Sequence, residues 1–207
     1  MKVGSEFGSI DVDGTSCRFR STWDCDLVPW VIEDLRVETL SAGRYQLRME
    51  MRVPMQLPID TIAPSKLRLH LHGEPRNALE LLMWLHTHTE DVVLIESKAT
   101  GAQEREISIG KRSLKAAGFE ENEKLLPYPR TAFPGYRLLE EYYTLPQKFL
   151  FVDVENVKRI VELDKEISKF AIAFRFDAPL PIGQRLPPHF VGLLEGRFAL
   201  DHQVTLQ

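Results

Sequence analysis

Leu125–Val154 reads LLPYPRTAFPGYRLLEEYYTLPQKFLFVDV, the stretch densest in proline and aromatics. Pro127, Pro129 and Pro134 lack a backbone N–H and push the residue before them toward extended φ/ψ, so residues 125–133 are expected to cross a surface as an arm outside any sheet. Gly135 then opens a short helix that Pro146 stops. Tyr136, Leu139 and Tyr143 share one helical face, away from Arg137, Glu140 and Glu141, and that face is expected to be buried. Lys148–Val154 reads as a strand, with Phe149 and Phe151 on one face and Leu150, Val152 and Val154 on the other. Apolar residues on both faces imply that both are covered.

Several words of this stretch form a longer pattern: Leu126-Pro127-Tyr128-Pro129, then Phe133-Pro134-Gly135-Tyr136-Arg137-Leu138-Leu139, Glu141-Tyr142, and Lys148-Phe149-Leu150-Phe151 followed by Asp153. Two upstream words accompany them, Gly14–Arg20 (GTSCRFR) and Leu67–Pro75 (LRLHLHGEP). In order and spacing this pattern resembles the TssF family, a baseplate subunit of the bacterial type VI secretion system. It departs from it at Arg130, where a further proline is expected, and at Val152, where an aromatic is. The resemblance implies a structural protein of a cytoplasmic, membrane-docked wedge. Its implied partners are TssG and TssK, with the VgrG hub and a second TssF copy as further contacts. No cofactor is implied, and the motif has no catalytic duty. Tyr128, Pro129, Phe133, Pro134, Gly135, Tyr136, Arg137, Leu139, Tyr142, Phe149 and Phe151 become the candidate structural or interface residues.

Composition bounds the reading independently. A chain of 207 residues, 43% hydrophobic and 27% charged, is long enough to bury a core without metal or disulfide support. Its net charge of -4 is wrong for a nucleic-acid binder, which needs concentrated basic surface to displace counterions. The two cysteines, Cys17 and Cys25, give no disulfide framework. No apolar run is long enough for a membrane-spanning helix, and no signal-peptide pattern is present, so a cytoplasmic location is expected. Gly4–Ser9 (GSEFGS) looks like translated cloning sites, and residues 1–9 are set aside on that ground. The native segment is then expected to come from inside a longer protein.

In order along the chain, the first patterns are β. Cys17 and Phe19 alternate with arginines, and Leu35 and Val37 with Arg36 and Glu38. Tyr45, Leu47, Met49, Met51 and Val53 alternate with Gln46, Arg48, Glu50 and Arg52, the period of a strand with one face on a core and one in water. Leu67, Leu69 and Leu71 form a second such strand, ended at Gly73. Pro75 suits the first turn of a helix to about His86, with Leu79, Leu82, Met83 and His86 on its apolar side. Val92–Ile95 is a continuous apolar run, hence a fully buried strand, and Ile107 and Ile109 belong to its hairpin partner. Lys111–Lys124 is charged and broken by Gly118, and is expected to separate two lobes, 10–110 and 111–207, with the arm 125–154 in the second. Val157, Ile160 and Val161 suggest a helical turn. Phe170, Ile172, Phe174 and Phe176 alternate with Ala171, Ala173 and Arg175, so the small residues can sit beneath another layer. A Pro-rich loop and a last strand near 190–200 follow. The predicted fold is β-rich α+β, sandwich-like, with antiparallel sheets and a few short helices.

No constellation points to catalysis. His70 and His72 project from one strand face in the manner of a zinc pair, but Arg68 shares that face and no third ligand has suitable spacing. His86 and His88 diverge. There is no nucleophile elbow, no phosphate-cradling glycine loop, and no catalytic cysteine context. Glu140 and Glu141 are adjacent on a helix and cannot converge on one substrate; solvation, or an Arg137–Glu141 pair at i, i+4, is the expected role. The leading class is therefore a structural assembly protein and not an enzyme. A β-rich carbohydrate- or peptide-binding module is the alternative, and a hydrolase with an unfamiliar site comes last.

Overall fold

The computed structural model describes residues 1–11, 13–24, 26–53, 58–97, 104–126, 128–129, 131, 133–163, 167–180 and 191–193. Its strands are β1 (Glu6–Gly8), β2 (Arg18–Arg20), β3 (Val31–Thr39), β4 (Tyr45–Arg52), β5 (Lys66–Leu71), β6 (Thr89–Glu96), β7 (Glu106–Ser108), β8 (Leu114–Ala116), β9 (Phe151–Glu155), β10 (Lys169–Phe176) and β11 (Val191–Leu193). Its α-helices are α1 (Ile59–Ile62), α2 (Pro75–His88) and α3 (Pro134–Thr144). Every strand pairing is antiparallel. The β-rich α+β class with antiparallel sheets is the observed one.

A five-stranded sheet runs β3-β4-β10-β6-β7 and a four-stranded sheet runs β11-β5-β9-β8. One apolar core draws on both: Leu47, Met49, Val92, Leu94, Phe170 and Phe174 from the first, Leu67, Leu69, Val152 and Val154 from the second. Helix α2 adds Ala78, Leu81 and Leu85. The expected boundary at 110/111 does not divide these sheets. Strand β10, from the second half, lies between β4 and β6 of the first, and β5 lies between β11 and β9. The reason is legible in β10 itself. Phe170, Ile172, Phe174 and Phe176 face the shared core while Ala171 and Ala173 pack with Val93 and Ile95 on the other face, and a strand apolar on both faces is satisfied in the middle of a sheet. The charged stretch after Lys111 contains β8, which pairs with β9 at the end of its sheet. Exposed Lys115 there is the charge that blunts an edge strand.

Two local expectations are corrected. The outward face of β4 is not in water: Gln46 and Arg48 are buried, and Arg48 donates 2.8 Å hydrogen bonds from both terminal nitrogens to Glu104 and one of 2.6 Å to Glu50. Arg48 lies opposite Ala173 in register, so the small side chain leaves room for the long one. The strand expected from Lys148 starts only at Phe151, because Pro146–Leu150 forms a 3-10 turn. Residues 6–8, set aside with the presumed cloning sites, pair with 18–20. The turn expected at 99–103, most of the final Pro-rich loop and the last strand beyond 193 lie outside the described residues.

Candidate functional site: a buried charge clamp beneath an apolar groove

Helix α3 starts with Pro134 at its first turn, where the missing N–H is harmless, and ends at Leu145, whose N–H reaches the Glu141 carbonyl at 2.8 Å. Its orientation is the reverse of the expected one. Arg137 and Glu141 are 3% and 0% exposed, whereas Tyr136 is 65%, Leu139 56% and Tyr143 81% exposed. The helix turns charge inward and aromatics outward.

What holds it so is a set of charges that neutralise one another. Lys148, itself fully buried, is ion-paired to Glu141, and Arg137 stands 3.9 Å from the same carboxylate. The other Glu141 oxygen accepts the N–H of Leu125 at 2.8 Å and that of Leu126 at 3.4 Å. Burial pushes the Glu141 carboxyl up, but the Lys148 ammonium and the two amides outweigh it and hold it below the usual carboxylate range. The start of the arm is thus tied to α3, and the 3-10 turn after Pro146 is what carries Lys148 beneath the helix. The expected Arg137–Glu141 pair is present, but Glu141 does not serve solvation.

Gly118 completes the clamp. Its φ is +93°, and a Cβ there would stand 2.7 Å from the Lys148 carbonyl oxygen, so only glycine fits. The Gly118 N–H donates to Glu123 at 2.7 Å. The other Glu123 oxygen pairs with Arg68, which also grips Asp153 at 2.6 and 2.7 Å and lies 5.7 Å from the centre of the Trp23 ring. Burial opposes the charge of Asp153, but Arg68 and Lys66 prevail and keep its carboxyl below the usual range. These pairs account for the "Lys-Phe-Leu-Phe-x-Asp" word physically: Lys148 binds the helix and Asp153 binds the neighbouring strand.

Outside this clamp lies a groove of about 500 Å³ walled by α2 and α3. Leu79 and Leu82 line one side and Leu138, Leu139 and Tyr142 the other, with Phe149 and Leu150 between. On α2 the expected face is buried only in part: Ala78, Leu81 and Leu85 enter the core, Leu82 and His86 are half-buried, and Leu79 and Met83 are exposed. Helix α2 carries a second, buried apolar stripe, whereas the buried side of α3 is the charged pair Arg137 and Glu141. In each, the stripe that sequence periodicity favoured is the more exposed one.

The candidate residues therefore separate. Arg137 and Phe149 are buried, Tyr128, Gly135 and Phe151 half-buried, and Pro129, Phe133, Pro134, Tyr136, Leu139 and Tyr142 exposed. Phe133 and Tyr136, expected as buried pegs against Lys148–Val154, instead meet each other edge-on in solvent, 5.8 Å between ring centres. Pro127 is outside the described residues. Glu141, Lys148, Glu123, Leu79 and Met83 were not singled out for these places; the Arg137-x-x-x-Glu141 spacing with Lys148 seven residues on was the available signal for the clamp. His70 stacks on Phe151 at 4.5 Å and is 5.9 Å from His72. Among the described residues no three His, Cys, Asp or Glu side chains gather as metal ligands, and no helix is long and apolar enough to cross a membrane.

The family model for the type VI secretion system protein TssF matches residues 1–189. The chain belongs to the TssF family. The match includes residues 1–9, the segment set aside as cloning sites. The type VI secretion system component TssF1 of Pseudomonas aeruginosa is 34% identical over 113 residues, which are 55% of this chain and 18% of that protein. A chain in the cryo-electron microscopy structure of the TssK-TssF-TssG baseplate subcomplex is similar in fold, with a TM-score of 0.73 and 25% identity over 93% of this chain. The present chain spans 37% of that chain's length. Arg137, Glu141, Lys148 and Asp153 of the clamp and Leu138, Leu139, Tyr142, Phe149 and Leu150 of the groove fall in the words quoted from the sequence, whereas Gly118, Glu123, Leu79 and Leu82 lie outside them.

Proposed function

We propose that this chain is a structural part of the type VI secretion baseplate, acting on the cytoplasmic side as a rigid wedge element that binds TssG and TssK and carries no catalytic duty. The single observation behind this reading is the fold likeness over 93% of the chain to a component of the TssK-TssF-TssG subcomplex. The local physics agrees with an assembly role. The buried ionic groups at α3 are paired with one another and hold a helix whose apolar side faces out; such a device positions a surface and performs no reaction. The family match over residues 1–189 and the fold likeness to a baseplate component favour this reading over the carbohydrate-binding alternative.

Co-expression with the TssG and TssK proteins of the same secretion system, followed by purification at moderate salt, tests the proposal. Co-elution in fixed ratio is the expected result. Failure to bind either protein overturns it.

A further inference from the structure

We propose that the outward face of α3 binds an arginine of a protein partner in the baseplate, with Glu140 as its counter-ion and the rings of Tyr136 and Tyr143 as its walls, an inference that rests on the assembly role proposed above. Of the charged residues of α3, two are turned inside: Arg137 is 3% and Glu141 0% exposed, and both belong to the ionic group around Lys148. The remaining one, Glu140, is exposed. Its backbone carbonyl accepts the Thr144 hydroxyl at 2.7 Å, but among the described residues no cation meets its carboxylate. Tyr136 lies one turn before it and Tyr143 one turn after, so both stand beside it on the helix surface, about 5–6 Å away between Cβ atoms. They are 65% and 81% exposed. Neither ring is alone. Phe133 meets Tyr136 edge-on with ring centres 5.8 Å apart, Tyr142 meets Tyr143 edge-on at 5.7 Å, and Tyr142 in turn lies 5.9 Å from buried Phe149. Two aromatic pairs therefore flank one carboxylate.

This arrangement selects the occupant. A protein surface that covers the rings also takes the Glu140 carboxylate out of water, and a charge buried without a partner is costly. The surface has to bring a cation. A guanidinium fits better than an ammonium, because its plane stacks on an aromatic ring while its edge donates two hydrogen bonds to a carboxylate. Ring and cation attract each other within about 6 Å of the ring centre. A second copy of this chain docking through its own α3 brings a second Glu140 to the same face and meets repulsion.

The test uses the full chain, its Glu140→Gln and Tyr143→Ala variants and the double variant, each titrated with purified TssG and TssK. Both side chains are exposed, so all three variants should melt within about 2 °C of the parent. Each single variant should bind the partner at least about threefold more weakly, and the parent's affinity should fall more steeply with salt than that of Glu140→Gln. Arginines of the bound partner are then exchanged one at a time for glutamine. One exchange should weaken binding to the parent at least about threefold and leave binding to the double variant unchanged, and lysine at that position should restore only part of the loss. Equal binding by the parent and all variants overturns the inference and leaves the assembly role standing. Binding of neither protein by the parent overturns both. Failure of every arginine exchange to show this dependence, or full recovery with lysine, overturns the arginine as occupant. Self-association abolished by the variants would assign the face to a second copy, and a sharp fall in their melting temperature would mean that the chain itself uses these side chains; either result overturns the inference.

Discussion

Glu141 is where the arm, the helix and the strand meet, because one carboxylate accepts two arm amides and faces two cations. A buried ion pair is weak as a source of net stability, yet removing one partner strands the other charge and costs about 3–5 kcal/mol. Lys148→Met should therefore lower stability by that order in thermal or urea melts. Lys148→Met with Glu141→Leu should recover much of the loss, and a double variant no better than the single one would refute the account. The pH dependence has a definite sign. A carboxyl held below its ordinary value of 4.5 contributes stability in full above that pH and loses it as pH falls through the lower folded value, so stability should drop in acid and Glu141→Gln should flatten that part of the profile. Tyr136→Ala belongs at the other extreme: at 65% exposure it should change stability by less than about 0.5 kcal/mol. A larger loss would restore its role as a buried peg.

At the scale of elements, α3 and α2 show that amphipathic period fixes a helix and its stripes without fixing which stripe is inside. The choice went to Arg137 and Glu141 in one helix because Lys148 waits below with a compensating charge. In the other it went to Ala78, Leu81 and Leu85. Gly118 sets how near the loop after β8 approaches the 3-10 turn that bears Lys148. Gly118→Ala combines an unfavourable φ, worth about 1–2 kcal/mol for an L residue, with a backbone clash at 2.7 Å, and should destabilise by more than about 2 kcal/mol in chemical denaturation. Gly135→Ala is a different case. Its added Cβ meets only the ring of Phe133, an exposed side chain that can swing aside, and the melting temperature should barely change.

At the scale of the whole molecule, β10 is the centre of the larger sheet although it comes late in the chain. A fragment of residues 10–110 would lack that strand and leave the apolar edges of β4 and β6 open. It should be unfolded or aggregated by circular dichroism and light scattering; a fragment that melts cooperatively as a monomer would reinstate two separate lobes. Helix α2 adds a milder pH effect. Burial lowers the pKa of His86 from 6.5, so the unfolded chain takes up the proton first and stability should decline as pH falls below that value. His86→Phe should remove that portion of the decline.

The sequence by itself determined the β-rich antiparallel class, the alternating strands around Leu47, Leu69 and Phe174, the fully buried Val92–Ile95 run, and the family. These depend on period and on words of fixed spacing, which are local. Tertiary structure alone decided that β10 enters between β4 and β6, that Arg48 lies over Ala173, and that α3 turns its favoured stripe outward and α2 part of its own. Each of those outcomes depends on a partner far along the chain: a neighbouring strand with both faces apolar, a small residue opposite a long one, or a lysine carried under a glutamate by a proline turn. Periodicity counts apolar residues on a face. It has no measure of the charge waiting on the other side.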